Sequence, residues 1–391
     1  MNAKVRIAID AKNLALYSAG IAHWFSPLLR AWIAFPSPLD RFEFFIITPI
    51  GNGLEVLDYP CLPNIQKVSP RWPTYLKRQL RHLVYDNWIF PQFISKINPQ
   101  CIISPYHDVL FPKKNNLIFN VLTVHDLCFL KVPEAYPWPI RFYYTWMLRR
   151  NIPRAHHILT VSETTRKELI EVFQLSVSSI SVIPNALSVE FLDTKPSLGS
   201  VLLWGKRYAF TEGKTVLYAS GIGHRKNIER LLSAFRLLWS QGHKIKLCIT
   251  GKVDSRWLPL FHEEEIILGN IEFLGFLSLA ELRVAYEAVD TVVYPSLCEG
   301  FGRSCLEAMA CGTPLACSDI PVFQEVAGTY PQYFDPLNIN SIANAIELAL
   351  QQGRKEPHTD CRYEMESVKQ YFIETINNLI LKNSSLFDES I

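Results

Sequence analysis

The stretch Tyr294-Pro-Ser-Leu-Cys-Glu-Gly-Phe-Gly-Arg-Ser-Cys-Leu-Glu-Ala-Met-Ala-Cys-Gly-Thr-Pro sets two carboxylates, Glu299 and Glu307, around a glycine turn. Its apolar start reads as a strand, Gly300 and Gly302 form the turn, and a helix carrying Glu307 follows. Glycines let a backbone approach a ligand closely, and the free N–H groups of a helix start attract phosphate oxygens. A carboxylate in the turn and another one turn into the helix can both accept hydrogen bonds from the hydroxyls of a sugar or ribose. An isolated pair of glutamates at this spacing is more often a solvated surface feature. Here strand, glycines, helix and the Gly312-Thr-Pro stop agree, and together they point to a binding turn.

A second candidate turn is Tyr218-Ala-Ser-Gly-Ile-Gly-His-Arg-Lys-Asn. Gly221 and Gly223 follow a strand, Arg225 and Lys226 sit at the turn, and an apolar-periodic helix comes next. Two cations beside a helix start suit a diphosphate, whose charge grows as it leaves. In the first half, Thr123-Val-His-Asp-Leu places His125 at a strand end, and Gly20 lies in Ser18-Ala-Gly-Ile after the first strand. The alternative for His125 is a hydrogen-bonded structural histidine. No Asp-x-Asp occurs, so the usual carboxylate pair for a metal-bound diphosphate is missing, and the expected site uses no metal.

These turns need strand–helix units to carry them. Short β-branched runs alternate with helical periodicities, the pattern of βαβ units and parallel sheets. Strands are predicted at Lys4–Asp10, Phe42–Pro49, Gln100–Pro105, Leu117–Asp126, His156–Ser162 and Ile180–Asn185. After a looser stretch, further strands are predicted at Thr215–Ser220, Lys244–Thr250, Ile271–Leu274, Thr291–Pro295 and Pro314–Cys317. Helices are predicted at Ile21–Ala34, Leu76–Lys96, Ile140–Arg150, Glu163–Phe173, Asn227–Gln241, Leu279–Ala288, Asn340–Gln352 and Met365–Leu381. The α/β chain thus divides into a domain over 1–195, a linker over 196–213 and a second domain over 214–364. The helix from 365 to 391 is expected to pack back on the first domain. Two doubly wound domains facing across a cleft would put strand C-termini and helix N-termini where a phosphate ligand sits.

Within E-G-F-G-R-S-C-L-E-A-M-A-C-G-T-P, Glu299 and Glu307 resemble the signature of the retaining glycosyltransferases of family 4, and the similarity extends over most of the chain. The resemblance implies the GT-B fold, two Rossmann-like domains, and transfer of a hexose from a nucleotide diphosphate sugar with retention. It implies that Glu299 contacts the transferred sugar, that Glu307 binds the ribose, and that the backbone of Gly300, Phe301 and Gly302 meets the diphosphate. It also sets Arg225, Lys226 and Gly221 against that diphosphate, Gly20 near the phosphates, and His125 beside the sugar. The pairing of the R-K-N and H-D-L elements resembles mannosyltransferases of bacterial surface glycans, so GDP-mannose leads as donor and UDP-sugars follow. The implied acceptor is a saccharide or a lipid-linked glycan. The nucleotide sugar is a co-substrate, and no cofactor is implied. A non-catalytic nucleotide-sugar-binding subunit would share the fold, but all four charged side chains of the two turns are present.

Composition sets the remaining bounds. The 391 residues exceed one core, and 49% apolar with 19% charged residues is ordinary globular composition. Net charge is +2, split as +7 over residues 1–200 and −5 over 201–391. Arg71-Trp-Pro-Thr-Tyr-Leu-Lys-Arg-Gln-Leu-Arg-His could form a basic helix that touches an anionic membrane, or an ordinary amphipathic surface helix. A nucleic-acid partner would call for a denser basic stripe. Nine cysteines spread singly, without C-x-x-C, suit packed thiols in a reducing cytosol better than disulfides or zinc. No apolar run approaches the ~18 residues of a spanning helix. The expected location is therefore cytoplasmic, at most peripheral on the inner face of a membrane.

Overall fold

Mostly apolar runs of three to six residues become strands because side chains on both faces of a parallel sheet are covered by helices. In the computed structural model, which describes residues 4–12, 19–34, 42–47, 65–68, 84–107, 111, 118–208 and 213–383, these strands form two all-parallel sheets. The chain divides into two units, one made of 1–127, 138–185 and 366–391 and the other of 128–137 and 186–365.

In the N-terminal unit the strands are β1 (Val5–Asp10), β2 (Phe42–Ile47), β3 (Ile65–Val68), β4 (Cys101–Ser104), β5 (Phe119–Val124), β6 (His157–Thr160) and β7 (Ile180–Val182), ordered β3-β2-β1-β4-β5-β6-β7. The order reverses between β1 and β4, which is the doubly wound pattern. Helices α1 (Ala19–Ala34), α2 (Phe90–Ile97), α3 (Trp138–Asn151) and α4 (Glu163–Phe173) connect them, and a π-helical turn at Tyr85–Ile89 precedes α2. Ser162 caps α4 by accepting a hydrogen bond from the Thr165 N–H at 3.0 Å. The predicted helix Leu76–Lys96 falls partly outside the described residues, and the basic segment 71–82, where the sequence suggested membrane contact, lies wholly outside them.

The C-terminal unit holds α5 (Leu198–Tyr208), then β8 (Lys214–Tyr218), α6 (Ile228–Ser240), β9 (Ile245–Thr250), β10 (Ile271–Gly275), α7 (Leu279–Ala288), β11 (Thr291–Tyr294), α8 (Arg303–Ala310), β12 (Leu315–Ser318), β13 (Gln332–Phe334) and α9 (Ile339–Gln351). Its sheet runs β10-β9-β8-β11-β12-β13, with the reversal between β8 and β11. Ile228, Leu231, Leu232, Phe235 and Leu238 place the apolar face of α6 in one buried cluster with Ile342, Ile346 and Ala349 of α9. Ser278 and Glu281 form a capping box on α7. Helix α10 (Met365–Lys382) closes the chain and belongs to the N-terminal unit from Glu366 onward. Within that unit its Phe372 meets Phe25 and Trp32 edge-on at 6.0 Å, and Trp32 donates to Asn377 at 2.9 Å.

Two sequence expectations are corrected here. The stretch 196–213, expected as a linker, contains the eleven-residue helix α5, and the C-terminal unit takes up the chain at Ala186. Gly199 and Gly205 argue locally against a helix, but packing of Trp204, only 8% exposed, overrides that preference. The expectation of nine packed thiols also fails, because Cys128 and Cys298 form a disulfide with Cα atoms 5.6 Å apart. Cys101, Cys248, Cys305, Cys311 and Cys317 are buried thiols, and Cys361 is an exposed one.

Candidate functional site

The reversal point of the C-terminal sheet sets the turns after β8 and β11 side by side, where a doubly wound sheet binds its ligand. The two turns are laced together by one backbone and one side-chain hydrogen bond. The Leu297 N–H donates to the Arg225 carbonyl at 2.9 Å, and Arg225 Nη1 donates back to the Cys298 carbonyl at 2.8 Å.

Glu299 lies between the two cations of the first turn. Arg225 Nη1 donates to Glu299 Oε2 at 2.6 Å, Lys226 Nζ donates to Oε1 at 2.5 Å, and Ser296 Oγ donates to Oε1 at 2.7 Å. Burial alone would raise the Glu299 pKa, but Lys226 and Arg225 outweigh it and hold the carboxyl down at about 2. Lys226 is held below the ordinary lysine value, chiefly by burial, with Glu299 pulling the other way.

The glycines of the first turn have no conformational or packing explanation. Neither Gly221 nor Gly223 has a left-handed φ, and a Cβ added at either would meet no atom within 4 Å. Glycine there keeps the surface beside Arg225 and Lys226 low, which lets a ligand approach the backbone. Asn227 takes a left-handed φ of 58° as the residue entering α6, and its amide donates to the Pro336 carbonyl at 2.7 Å.

Glu307 has a different set of partners. Its Oε2 accepts from the Tyr286 hydroxyl at 2.9 Å, its Oε1 accepts from Arg303 Nε at 3.1 Å, and the Tyr286 and Tyr294 hydroxyls pair at 2.6 Å. Burial pushes both tyrosine hydroxyls well above their ordinary range, so both remain protonated donors. Between the carboxylates, Gly302 adopts φ 103° as the residue entering α8, and a Cβ there would lie 2.8 Å from the Phe323 ring. The Phe301 side chain is buried edge-on against Tyr363 at 5.3 Å, which leaves the 300–302 segment to present backbone. At the end of α8, Gly312 takes φ 66° and the Thr313 N–H reaches back to the Ala308 carbonyl, a Schellman-type stop.

Glu299, Arg225 and Lys226 are therefore brought together. Glu307 sits in its own hydrogen-bond network on α8, and Gly300, Phe301 and Gly302 form the turn between. In the N-terminal unit, Gly20 lies in the first turn of α1 and His125 follows β5. His125 Nε2 is 2.8 Å from the Pro105 carbonyl, so Nε2 carries the proton and Nδ1 remains an acceptor. Burial lowers its pKa, against the pull of that carbonyl and of Asp126. Sequence reasoning missed Ser296, Tyr286 and Tyr294. Ser296 lies three residues before Glu299, a spacing that could have flagged it, whereas Tyr286 reaches Glu307 from α7 and Tyr294 of β11 pairs with Tyr286.

The second turn is also fixed from behind. The segment Cys128–Pro137 belongs to the C-terminal unit although its flanks belong to the other. Cys128 is bonded to Cys298, next to Glu299, and Val132, Ala135 and Tyr136 pack around the bond with Leu297.

Comparison with known proteins supplies the family. Residues 205–366 fit the family model for glycosyl transferases group 1, and residues 40–191 fit that for Glycosyltransferase Family 4. The chain is 32% identical over 251 residues to O-antigen chain mannosyltransferase B of Escherichia coli, spanning 63% of this chain and 65% of that relative. It is 27% identical over 301 residues to O-antigen chain mannosyltransferase RfbU of Salmonella typhimurium, spanning 76% of this chain and 78% of the relative. Among solved structures, Anabaena Alr3699/HepE in complex with UDP and glucose superposes with a TM-score of 0.68 at 16% identity, covering 96% of this chain and 100% of the other, a likeness of fold. With its two halves matched in turn and both sheets doubly wound, the chain belongs to the group 1, family 4 glycosyltransferases of GT-B fold.

Proposed function

We propose that the protein transfers mannose from GDP-mannose to a saccharide or lipid-linked acceptor in surface-glycan synthesis, on the cytoplasmic side of a membrane. The observation that carries this reading is the pair of cations held by one carboxylate at the reversal point of the C-terminal sheet, beside two glycines that packing does not require. Arg225 and Lys226 take the donor diphosphate, and their charge counters what builds on it as the sugar departs. That role needs no metal ion. Glu299 keeps both cations in place and accepts from sugar hydroxyls. The backbone of Gly300, Phe301 and Gly302, with Gly221 opposite, meets the phosphates. Glu307 binds the ribose by exchanging Arg303 for a hydroxyl while Tyr286 keeps its orientation. In the N-terminal unit, Gly20 serves the phosphates and the neutral His125 accepts from a sugar hydroxyl through Nδ1. The bond from the anomeric carbon to the phosphate oxygen breaks with its electron pair staying on that oxygen, the acceptor oxygen bonds on the same face, and its proton passes to the leaving phosphate. Configuration is retained.

A panel of nucleotide sugars scored by thermal stabilisation, with and without EDTA, tests the donor. GDP-mannose is expected to stabilise most in both conditions. Stabilisation by UDP-sugars would reassign the donor, and binding without turnover on saccharide acceptors would favour a non-catalytic subunit. Loss of binding in EDTA would overturn the metal-free reading. Glu299→Gln should lower kcat by about 10²-fold or more, while GDP affinity changes by no more than about threefold. Unchanged turnover in that variant would sink the assignment.

A further inference from the structure

Charges on a helix ordinarily follow its dipole: acids sit in the first turn and bases in the last, and an i,i+4 ion pair is stronger with the acid on the N-terminal side. Helix α8 breaks both rules. It opens on Arg303, its first turn holds no acidic residue and no side-chain cap, and Arg303 pairs forward with Glu307 in the unfavourable order. Packing does not explain the arginine, because its side chain is 34% exposed. Its guanidinium is also only partly used. Nε donates to Glu307 Oε1 at 3.1 Å, and among the described residues neither Nη group donates to a protein acceptor. Local rules broken without compensating packing mark positions kept for a ligand.

Arg303 nevertheless supplies a cation to a carboxylate that needs one. The Glu307 side chain is 7% exposed, and its other hydrogen bond comes from the neutral Tyr286 hydroxyl at 2.9 Å. Exchanging a cation for neutral hydroxyls on a buried carboxylate is unfavourable, so ribose hydroxyls by themselves do not displace Arg303. A diphosphate on the Gly300–Gly302 backbone changes the balance. It brings anionic oxygens beside the residue that follows Gly302, and the two unused Nη groups suit paired donation to phosphate. We propose that Arg303 makes recognition of the nucleoside conditional on the diphosphate: it holds Glu307 until phosphate oxygens draw it off, which opens that carboxylate to the ribose. Arg303 is then a third cation on the donor, beside Arg225 and Lys226, and free nucleosides are discriminated against. The inference rests on the reading of these turns as a nucleotide diphosphate site. A plain ion pair that only steadies α8 makes the opposite prediction, since its loss weakens nucleoside and diphosphate alike.

Titration calorimetry of the full-length protein with guanosine and GDP, repeated with uridine and UDP, separates the two. In Arg303→Met the diphosphate should bind about tenfold or more weakly, and the nucleoside about threefold or more tightly, because phosphate has lost a cation and Glu307 is open. The preference for diphosphate over nucleoside should therefore shrink by about 30-fold or more. Loss of stability cannot move two affinities in opposite directions. Arg303→Lys keeps a charge for phosphate without the paired donors, so its preference should fall between wild type and Arg303→Met. If Arg303→Met does not fold, the preference in Arg303→Lys decides. The proposal fails if both affinities fall together in the variants, or if neither changes. Those outcomes leave the donor-site reading standing, because wild type still binds the diphosphate. Wild-type protein that binds none of the four ligands would overturn that reading and this inference together.

Discussion

Glu299 satisfies two cations with one carboxylate, and its acidity is the measurable trace of that arrangement. Because its folded pKa is depressed to about 2 from an ordinary 4.5, its contribution to stability is complete above the ordinary value. That contribution is lost as pH falls from there through about 2. The stability gap between wild type and Glu299→Gln should accordingly be constant near neutral pH and narrow below about 4.5. Urea unfolding of both proteins across that range checks it, and a gap that stays constant to low pH would refute the ion-pair assignment. The charge types of this cluster were legible in the sequence, since glycine turns before two helices expose their side chains. The neighbours of Glu307 were not, because Tyr286 and Tyr294 become adjacent only when α7 packs beside β11.

Elements whose local pattern agreed with their burial were readable to within a few residues. Helices α4 and α7 run as predicted, each started by a serine whose hydroxyl caps the first turn. Strands β3 and β13 were missed: they are four and three residues long, and Gln332-Tyr-Phe offers no β-branched run. The α5 segment was misread because two glycines outweighed an apolar face that only tertiary packing reveals. At the stop of α8 the sequence was explicit. Gly312 has φ 66°, and an added Cβ would run into the Lys355 carbonyl, whose own N–H bonds back to Gly312. Gly312→Ala should therefore cost on the order of 2 kcal/mol or more. Chemical denaturation would measure it, and a cost below about 0.5 kcal/mol would mean that the 353–357 strand of chain is free to shift away.

At the scale of the whole chain, the path changes unit after Leu127, Pro137, Asn185 and Met365. No stretch of composition marks the short excursion of Cys128–Pro137, and a cysteine pair 170 residues apart leaves no local spacing to read. The chain-entropy view of a cross-link that long gives about 5 kcal/mol of stabilisation through the unfolded state. Reductant should therefore lower the melting temperature of wild type and leave Cys298→Ser unaffected; equal responses would show that the two thiols are not joined. Among the described residues no helix is long and apolar enough to cross a membrane. The same sulfur bridge also decides how the molecule comes apart under tension. Stretched from its two ends, the oxidised chain short-circuits the 170 residues between the cysteines, whose contour of about 600 Å at ~3.5 Å per residue appears only after reduction. Strands β6 to β11 and the entire Arg225–Lys226 turn lie inside that shielded length, so their chain cannot be drawn out until the bridge is cut.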